Sequence, residues 1–476
     1  MVEGTEIFAG RGVIATGPAE GARAGGRIFD AGGNAMDAAA AACIACAVIE
    51  PQAVDLGGYV AAGVVLDGKT GRVSSIDANS VGPAAAREDT YEVVPMRSCS
   101  RGINELEYGC SVRDDANVYG PLAVGVPGFL AGVGTLWERW GRLKWSEVVA
   151  PARELVETGL SSDQVRNALQ KKREPMARFG AAWHRPDQAL TLDRLATAGW
   201  RDFYDGELGH KIADFVCAQG GILTRADMAA FSPRVTGPCT GRYGDAVLHT
   251  AISPNGGFSV IDALAESFPL TEDTAYWDRL AGVLQRMWQR RLGIAGAQAS
   301  PHGTIHIAAA DREGNLVSMT VSQGGLFGSC LAVPGTGIIL GHGMCRFDPH
   351  PGLPNSPGPG KRPLNNVCPL IVRLPGRDVA IGARGGRRIV SVVVQLVQRI
   401  VDLGATPREA ASGPRIHTLT GDPVEISHNF DSAIRAELEA LGHHIEVPDE
   451  VAGAAHGAEI TATLLRAGGN TWAVGV

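Results

Sequence analysis

Thr304 lies in the stretch Pro301-His302-Gly303-Thr304-Ile305-His306, ahead of the apolar run Ile307-Ala308-Ala309-Ala310. In an uncut chain such a threonine is an ordinary strand residue. Cleavage of the Gly303–Thr304 bond would make it a new N-terminus, with its hydroxyl beside its own α-amino group. That amine has an ordinary pKa of about 7.7–8.0, so near neutral pH it can serve as a neutral base and no catalytic histidine is required. In the strand-like segment 315–322, alternation places Thr320 and Ser322 on one face. Gly385-Gly386 supplies backbone N–H donors free of side chains, as a tetrahedral oxyanion requires. Taken alone, a Gly-Thr pair before a strand and a Gly pair in a loop are common in ordinary folds; cut at Gly303–Thr304, they would be groups that acyl transfer by an N-terminal nucleophile needs.

Rival chemistries lack their residues. There is no GxSxG nucleophile elbow, and no GxGxxG follows an early strand. His302 and His306 stand four apart in a strand-like context, which does not bring two ligands to one metal, so neither a metal nor a cofactor is expected. Cys43-Ile44-Ala45-Cys46 falls inside an Ala-rich helical run and reads as small core residues. Nine scattered cysteines fit reduced thiols.

Positioning these groups takes a sizeable scaffold. Residues 20–50 carry a Gly-bounded helical pattern with Asp30 or Asn34 as caps, and 58–76 alternate as two strands joined by Asp67-Gly68-Lys69-Thr70-Gly71. Helical patterns follow at about 128–140, 145–158 and 205–219, and again from about Ile389 to Leu403. Strand patterns cover 304–311, 315–322, Leu370–Leu374 and Val379–Ile381. The segment 84–118 is polar and irregular, a surface loop or lid, and the Pro- and Gly-rich 351–360 can only be loop.

The 476-residue chain is 45% hydrophobic and 20% charged with net charge −7, an ordinary globular composition that gives no reason to expect nucleic acid or an anionic membrane as partner. The longest apolar stretch, Ala38–Ile49, is too short to span a bilayer. The acidic start Met1–Glu6 has neither the basic region nor the apolar run of a signal peptide, so a cytoplasmic location is expected.

Several blocks occur in a telling order: Ala31-Gly32-Gly33-Asn34-Ala35-Met36-Asp37-Ala38-Ala39, Glu50-Pro51 with Leu56-Gly57-Gly58, Val126-Pro127-Gly128 and Gly220-Gly221-Ile222-Leu223-Thr224. Thr304-Ile305-His306, Asp311–Asn315 with Val317–Thr320, Lys361-Arg362-Pro363-Leu364 and Gly385-Gly386-Arg387-Arg388-Ile389 complete them. Together they resemble, nearly end to end, the γ-glutamyltransferase family of N-terminal-nucleophile hydrolases. The resemblance implies an α+β fold, a four-layer αββα sandwich. It also implies self-cleavage into residues 1–303 and 304–476, which stay associated around one shared core. Thr304 would be the nucleophile, Thr320 and Ser322 would orient it and its amine, and Gly385-Gly386 would form the oxyanion hole.

The substrate-holding positions depart from the family. Its arginine for the glutamyl α-carboxylate is matched by Asn79 within Asp77-Ala78-Asn79-Ser80, and its acid for the α-amino group by Arg346 within Met344-Cys345-Arg346-Phe347. Gly324 replaces an asparagine, and Asn365 and Asn366 replace paired serines. A γ-glutamyl ammonium would therefore meet a cation; at an effective dielectric of about 20 a like-charge contact near 4 Å costs about 4 kcal/mol. A carboxylate at Arg346 would gain a bidentate pair. The expected substrate is a small acid without the α-amino group, or with its charge pattern altered, cleaved at an amide or C–C bond in secondary-metabolite biosynthesis. The alternatives are a true γ-glutamyl enzyme acting on glutathione-type compounds and an unprocessed, non-catalytic scaffold. The segment from Gly257 to Thr304 is also short for the family, and Trp472–Val476 lacks its usual ending; both would reshape the pocket rim.

Overall fold

A computed structural model describes residues 6–96, 108–158, 163–295, 303–421, 423–448 and 454–476. Pro301 and His302 lie outside the described residues, as do residues 97–107 of the expected 84–118 loop; the described part of that loop pairs Val93–Val94 with Ser111–Val112.

Two seven-stranded sheets dominate the molecule. One runs, edge to edge, Trp472–Gly475, Gly12–Thr16, Thr304–Asp311, Leu316–Ser322, Val60–Asp67, Arg72–Asn79 and Arg234–Thr236. The other runs Glu6–Ala9, Leu465–Gly469, Ala455–Thr461, Arg377–Ala383, Leu370–Leu374, Ala246–Thr250 and Cys239–Tyr243. Every neighbouring pair in both sheets is antiparallel.

Alternation along the strands sorts the core into three apolar layers. Between the sheets lie Val13, Ala15, Val64, Ala308 and Ala310 against Ile371, Ala380, Ala458 and Ala467. The alanines let the sheets approach closely, and their alternate neighbours point outward. Ile14, Ile305, Ile307, Val317 and Met319 pack on helices Ala35–Ile49 and Phe129–Trp140. Leu248, Leu370, Val372, Val379 and Ile381 pack on helices Gly257–Glu266, Thr274–Ala295 and Arg388–Asp402. This is the expected α+β, four-layer αββα sandwich.

Helix Ala35–Ile49 is apolar around its whole circumference because it is enclosed on every side. Asn34 caps it: its side chain accepts from the Met36 and Asp37 amides, while the Asp37 carboxylate accepts from the Asn34 amide. Cys43 and Cys46 are buried in its middle, and burial pushes both thiols up, so they are core residues. Among the described residues no helix is long and apolar enough to cross a membrane.

Candidate active site

The antiparallel register sets Thr304, the first residue of its strand, directly opposite Ser322, the last of the next. Their hydroxyl oxygens are 3.1 Å apart, both buried between the sheets. The Ser322 hydroxyl donates to the Gly303 carbonyl, and the Gly324 N–H donates to Ser322 Oγ at 3.0 Å. A serine oxygen has one proton and two acceptor sites. With its proton on Gly303 and one site filled by Gly324, Ser322 has only an acceptor site left, so Thr304 donates to it. The Thr304 lone pairs are thereby left for the adjacent Gly303 carbonyl carbon. Gly303 is also sterically required, since a Cβ there would stand 2.9 Å from the Gly325 carbonyl.

Thr320 shares this face but is not brought to Thr304. It stands opposite His306, and its hydroxyl lies 2.9 Å from His306 Nδ1. The His306 carbonyl accepts from Thr16 Oγ1 at 3.0 Å and from His456 Nε2 at 2.6 Å. The two imidazoles, with ring centroids 5.0 Å apart, form a buried floor below the Thr304–Ser322 pair. Burial holds both neutral: His456 falls to about 4, and His306 lies well below the ordinary imidazole range, with His456 pushing it the same way.

Gly385-Gly386 lies beyond the Arg377–Ala383 strand of the opposite sheet. Ser318 donates to the Ile381 carbonyl, and Gly382 passes under the His306 ring, so this strand advances toward the Thr304 end. Both glycines have positive φ, 133° and 61°, and their carbonyls accept from Arg388 and Ile389 to start helix Arg388–Asp402. Among the described residues no acceptor is bonded to either glycine N–H. Backbone N–H groups without an acceptor just ahead of a helix start suit a developing anion.

The substrate-position candidates divide into two groups. Arg346, Asn365 and Ser322 are joined through Tyr59, which follows the Leu56-Gly57-Gly58 turn. Tyr59 N–H donates to the Ser322 carbonyl at 3.0 Å, its hydroxyl donates to Asn365 Oδ1 at 3.1 Å, and Arg346 Nη2 donates to that hydroxyl at 3.0 Å. Arg346 is buried; burial opposes its charge, but Tyr59, Cys345 and Tyr108 work the other way and the group ends above its ordinary value. Asn366 is buried next in sequence, its carbonyl accepting from Cys368 Sγ at 3.0 Å. Gly324, with φ 98°, packs on the His342 ring, where a Cβ would collide.

Asn79 lies further along the same sheet. Register aligns Thr304, Ser322, Val60 and Asn79 in one row across four strands, so about 14 Å separates Asn79 from Thr304 at about 4.8 Å per strand. Its amide braces the Lys361–Leu364 segment through the Pro363 carbonyl at 2.8 Å. The preceding Asp77 is buried and tied to Arg234 and Arg362.

Tyr59, His342 and His456 are residues around Thr304 and Ser322 that sequence reasoning missed. His342 Nε2 accepts from Gly325 N–H at 2.7 Å while Nδ1 donates to the Val118 carbonyl at 3.1 Å, so it shapes the turn after Ser322 as a neutral ring; burial lowers it to about 3. Among the described residues no cluster of metal-ligating side chains occurs. A groove of about 670 Å³, lined by Asp245, His249, Arg373 and Asp378, lies by the Gly314 and Gly376 turns at the opposite end of the sandwich and touches none of these groups.

Comparison with known proteins places this geometry in context. The chain matches the family described as Gamma-glutamyltranspeptidase over residues 21–295 and 284–476. It is 30% identical to the Acylase ACY 1 proenzyme of Pseudomonas sp. (strain SE83), over 93% of this chain and 88% of that one. To the Glutathione hydrolase proenzyme of Escherichia coli (strain K12) it is 26% identical, over 93% of this chain and 87% of that one. The crystal structure of a cephalosporin acylase from Bacillus halodurans superposes with a TM-score of 0.84 at 23% identity, covering 99% of this chain and 97% of that chain. This last likeness is one of fold.

Proposed function

The chain belongs to the gamma-glutamyltranspeptidase family of N-terminal-nucleophile hydrolases, and from that premise we propose that it cuts itself at Gly303–Thr304 and then cleaves amides of a carboxylate-bearing acyl group. The observation that carries the reading is the Ser322 hydroxyl, bonded at once to the Thr304 hydroxyl and to the Gly303 carbonyl. Thr304 Oγ adds to the Gly303 carbon, and Ser322 holds the developing oxyanion. The C–N bond breaks, the proton from the hydroxyl passes to the departing amine, and an ester remains. Water opens that ester to the Gly303 carboxylate and a free N-terminal Thr304, giving fragments of 303 and 173 residues around one core.

In the matured enzyme the Thr304 amine takes the hydroxyl proton as Oγ attacks the substrate carbonyl. The N–H groups of Gly385 and Gly386 receive the oxyanion, the amine returns the proton to the leaving nitrogen, and water hydrolyses the acyl ester. Thr320 acts one step removed, by fixing His306 beneath the nucleophile. Arg346 lies two hydrogen bonds from the Ser322 backbone through Tyr59 and holds the far carboxylate of the acyl group. A cation at that position suits an acid lacking the α-amino group of glutamate, as a specialised biosynthetic acylase would use. The likeness to an acylase proenzyme and to glutathione hydrolase proenzymes supports both self-processing and amide chemistry.

The test uses two chromogenic anilides that differ only in the α-amino group, γ-glutamyl p-nitroanilide and glutaryl p-nitroanilide. The purified protein should run as two fragments on a denaturing gel and turn over the glutaryl compound preferentially. Preferred turnover of the γ-glutamyl compound would establish the glutathione-type reading instead, and a single intact, inactive chain the scaffold reading.

A further inference from the structure

Glu50 ends helix Ala35–Ile49, and its place is unfavourable to a carboxylate in three ways. Its side chain is only 10% exposed, its Oε2 has no hydrogen-bond partner among the described residues, and it caps the negative end of the helix dipole. Burial raises its carboxyl most; the Arg384 guanidinium lowers it, and the Glu20 carboxylate adds to the rise. Among the described residues the one cation paired with Glu50 is Arg384, whose Nη1 stands 3.8 Å from Oε2.

The two residues belong to different layers. Glu50 ends the helix that packs under Ile305 and Ile307, on the strand that Thr304 begins. Arg384 follows strand Arg377–Ala383 of the opposite sheet and immediately precedes Gly385-Gly386. Its guanidinium lies beside the Gly17 backbone, where a Cβ would stand 3.9 Å from Arg384 Nη1 and 4.0 Å from Ile305 Cγ2. Backbone hydrogen bonds hold the glycines from their two ends. The Arg384 N–H donates to the Ala454 carbonyl at 3.0 Å, and the glycine carbonyls accept from Arg388 and Ile389. Between these ends two residues of positive φ offer no Cβ to pack. The Glu50–Arg384 pair ties the start of this loop to the layer that carries Thr304.

We propose that Glu50 and Arg384 are positioning residues for the oxyanion hole: their ion pair sets the spacing between the Gly385-Gly386 N–H groups and Thr304 Oγ. This rests on the reading of the two glycines as oxyanion donors and deepens it. A donor acts on an oxyanion at about 2.7–3.1 Å, and a misplacement of about 1 Å can cost about a hundredfold in rate. Nucleophile and donors come from opposite sheets, so the hydrogen bonds within either sheet leave their spacing free. A charge pair with one partner buried is screened less than a surface pair, which suits it to hold that spacing.

The probe is p-nitrophenyl acetate, a neutral ester that can acylate Thr304 without calling on a substrate carboxylate. The readout is the burst of p-nitrophenolate from matured, two-fragment protein in stopped flow. Arg384→Ala and Glu50→Gln should each lower the limiting acylation rate about ten- to a hundredfold, with the half-saturating concentration unchanged. Arg384→Lys, which keeps the cation, should recover most of the rate. The double variant, Arg384→Ala with Glu50→Gln, should lose no more than the worse of the two single variants. A raised half-saturating concentration at unchanged limiting rate in Arg384→Ala would make Arg384 a substrate contact and overturn the positioning role. Variants that mature and acylate like wild type would overturn it whatever their Tm. Failure of both single variants to mature would do so too, making the pair an element of folding. A wild type without a burst would remove Thr304 as the nucleophile, and this inference with it. The choice between glutaryl and γ-glutamyl anilides does not enter this test, so failure of the carboxylate reading and failure of this one are told apart.

Discussion

The Thr304 and Ser322 hydroxyls face each other 3.1 Å apart across a single strand pair, and the same Ser322 proton is engaged by the Gly303 carbonyl. In the proposed self-cleavage, one side chain would orient the attacking oxygen and polarise the bond it attacks. Ser322→Ala should remove an oxyanion donor, which costs about 10²–10³ in rate. Appearance of the 173-residue fragment, followed by denaturing gel from a freshly purified precursor, should slow by that order. Thr304→Ala should not be cut at all. A Thr304→Ala chain that still yields the two fragments would rule out the self-cleavage scheme.

Arg346 gives the second prediction. If this buried cation holds the substrate carboxylate as proposed, truncation to alanine should cost about 2–4 kcal/mol in transition-state binding. The measurement is kcat/KM for glutaryl p-nitroanilide, expected to fall about 30- to 1,000-fold. Processing of Arg346→Ala should continue, because the residues around Gly303 do not include Arg346. An unchanged kcat/KM would make Arg346 a structural residue.

Much of this site was legible before any coordinates because its chemistry is local. Thr304, Thr320 and Ser322 lie on two adjacent strands whose alternation is plain, and strand pairing then forces Thr304 onto Ser322. Asn34 was legible as a cap for the same reason: the donors it satisfies are two and three residues away. What could not be read depends on contacts distant in sequence. Tyr59 meets Arg346 across 287 positions and Asn365 across 306, and no periodicity announces either contact. Asn79 was read from its place in a motif alone. A motif position suggested a substrate contact, but the register sets it three strands from Thr304. The closing strands Ala455–Thr461 and Leu465–Gly469 escaped notice because their alanines and glycines carry little strand signal; the close approach of the sheets selects such small residues.

Gly382 tests how tightly the floor is built. Any Cβ at this position would overlap the His306 ring. Gly382→Ala should therefore destabilise by about 1–3 kcal/mol through overpacking, read as a lower urea midpoint at unchanged m-value. Because His306 is held by Thr320 beneath the nucleophile, the variant should also mature more slowly. A variant as stable as wild type would mean that the floor is free to move.

The buried imidazoles give the last prediction, in pH. His306, His342 and His456 are held neutral in the fold, His342 at about 3 and His456 at about 4, whereas in the unfolded chain each titrates near 6.5. Above pH 6.5 both states are neutral and the contribution to stability is intact. As pH falls from 6.5 toward 4, the unfolded chain takes up protons that the fold refuses, and stability drops by about 1.4 kcal/mol per pH unit for each histidine. Asp37, Glu50 and Asp55 act in the opposite sense: burial raises their carboxyls, so the fold accepts their protons more readily as pH falls. The histidine part is therefore isolated by difference. Between pH 7.5 and 5, His456→Gln should lose about 2 kcal/mol less unfolding free energy than wild type, since one refused proton is removed over 1.5 units below about 6.5. Identical pH dependence in the two proteins would mean that His456 is protonated in the fold. The His306 carbonyl it donates to would then have a charged partner beneath Thr304, not the neutral floor described above.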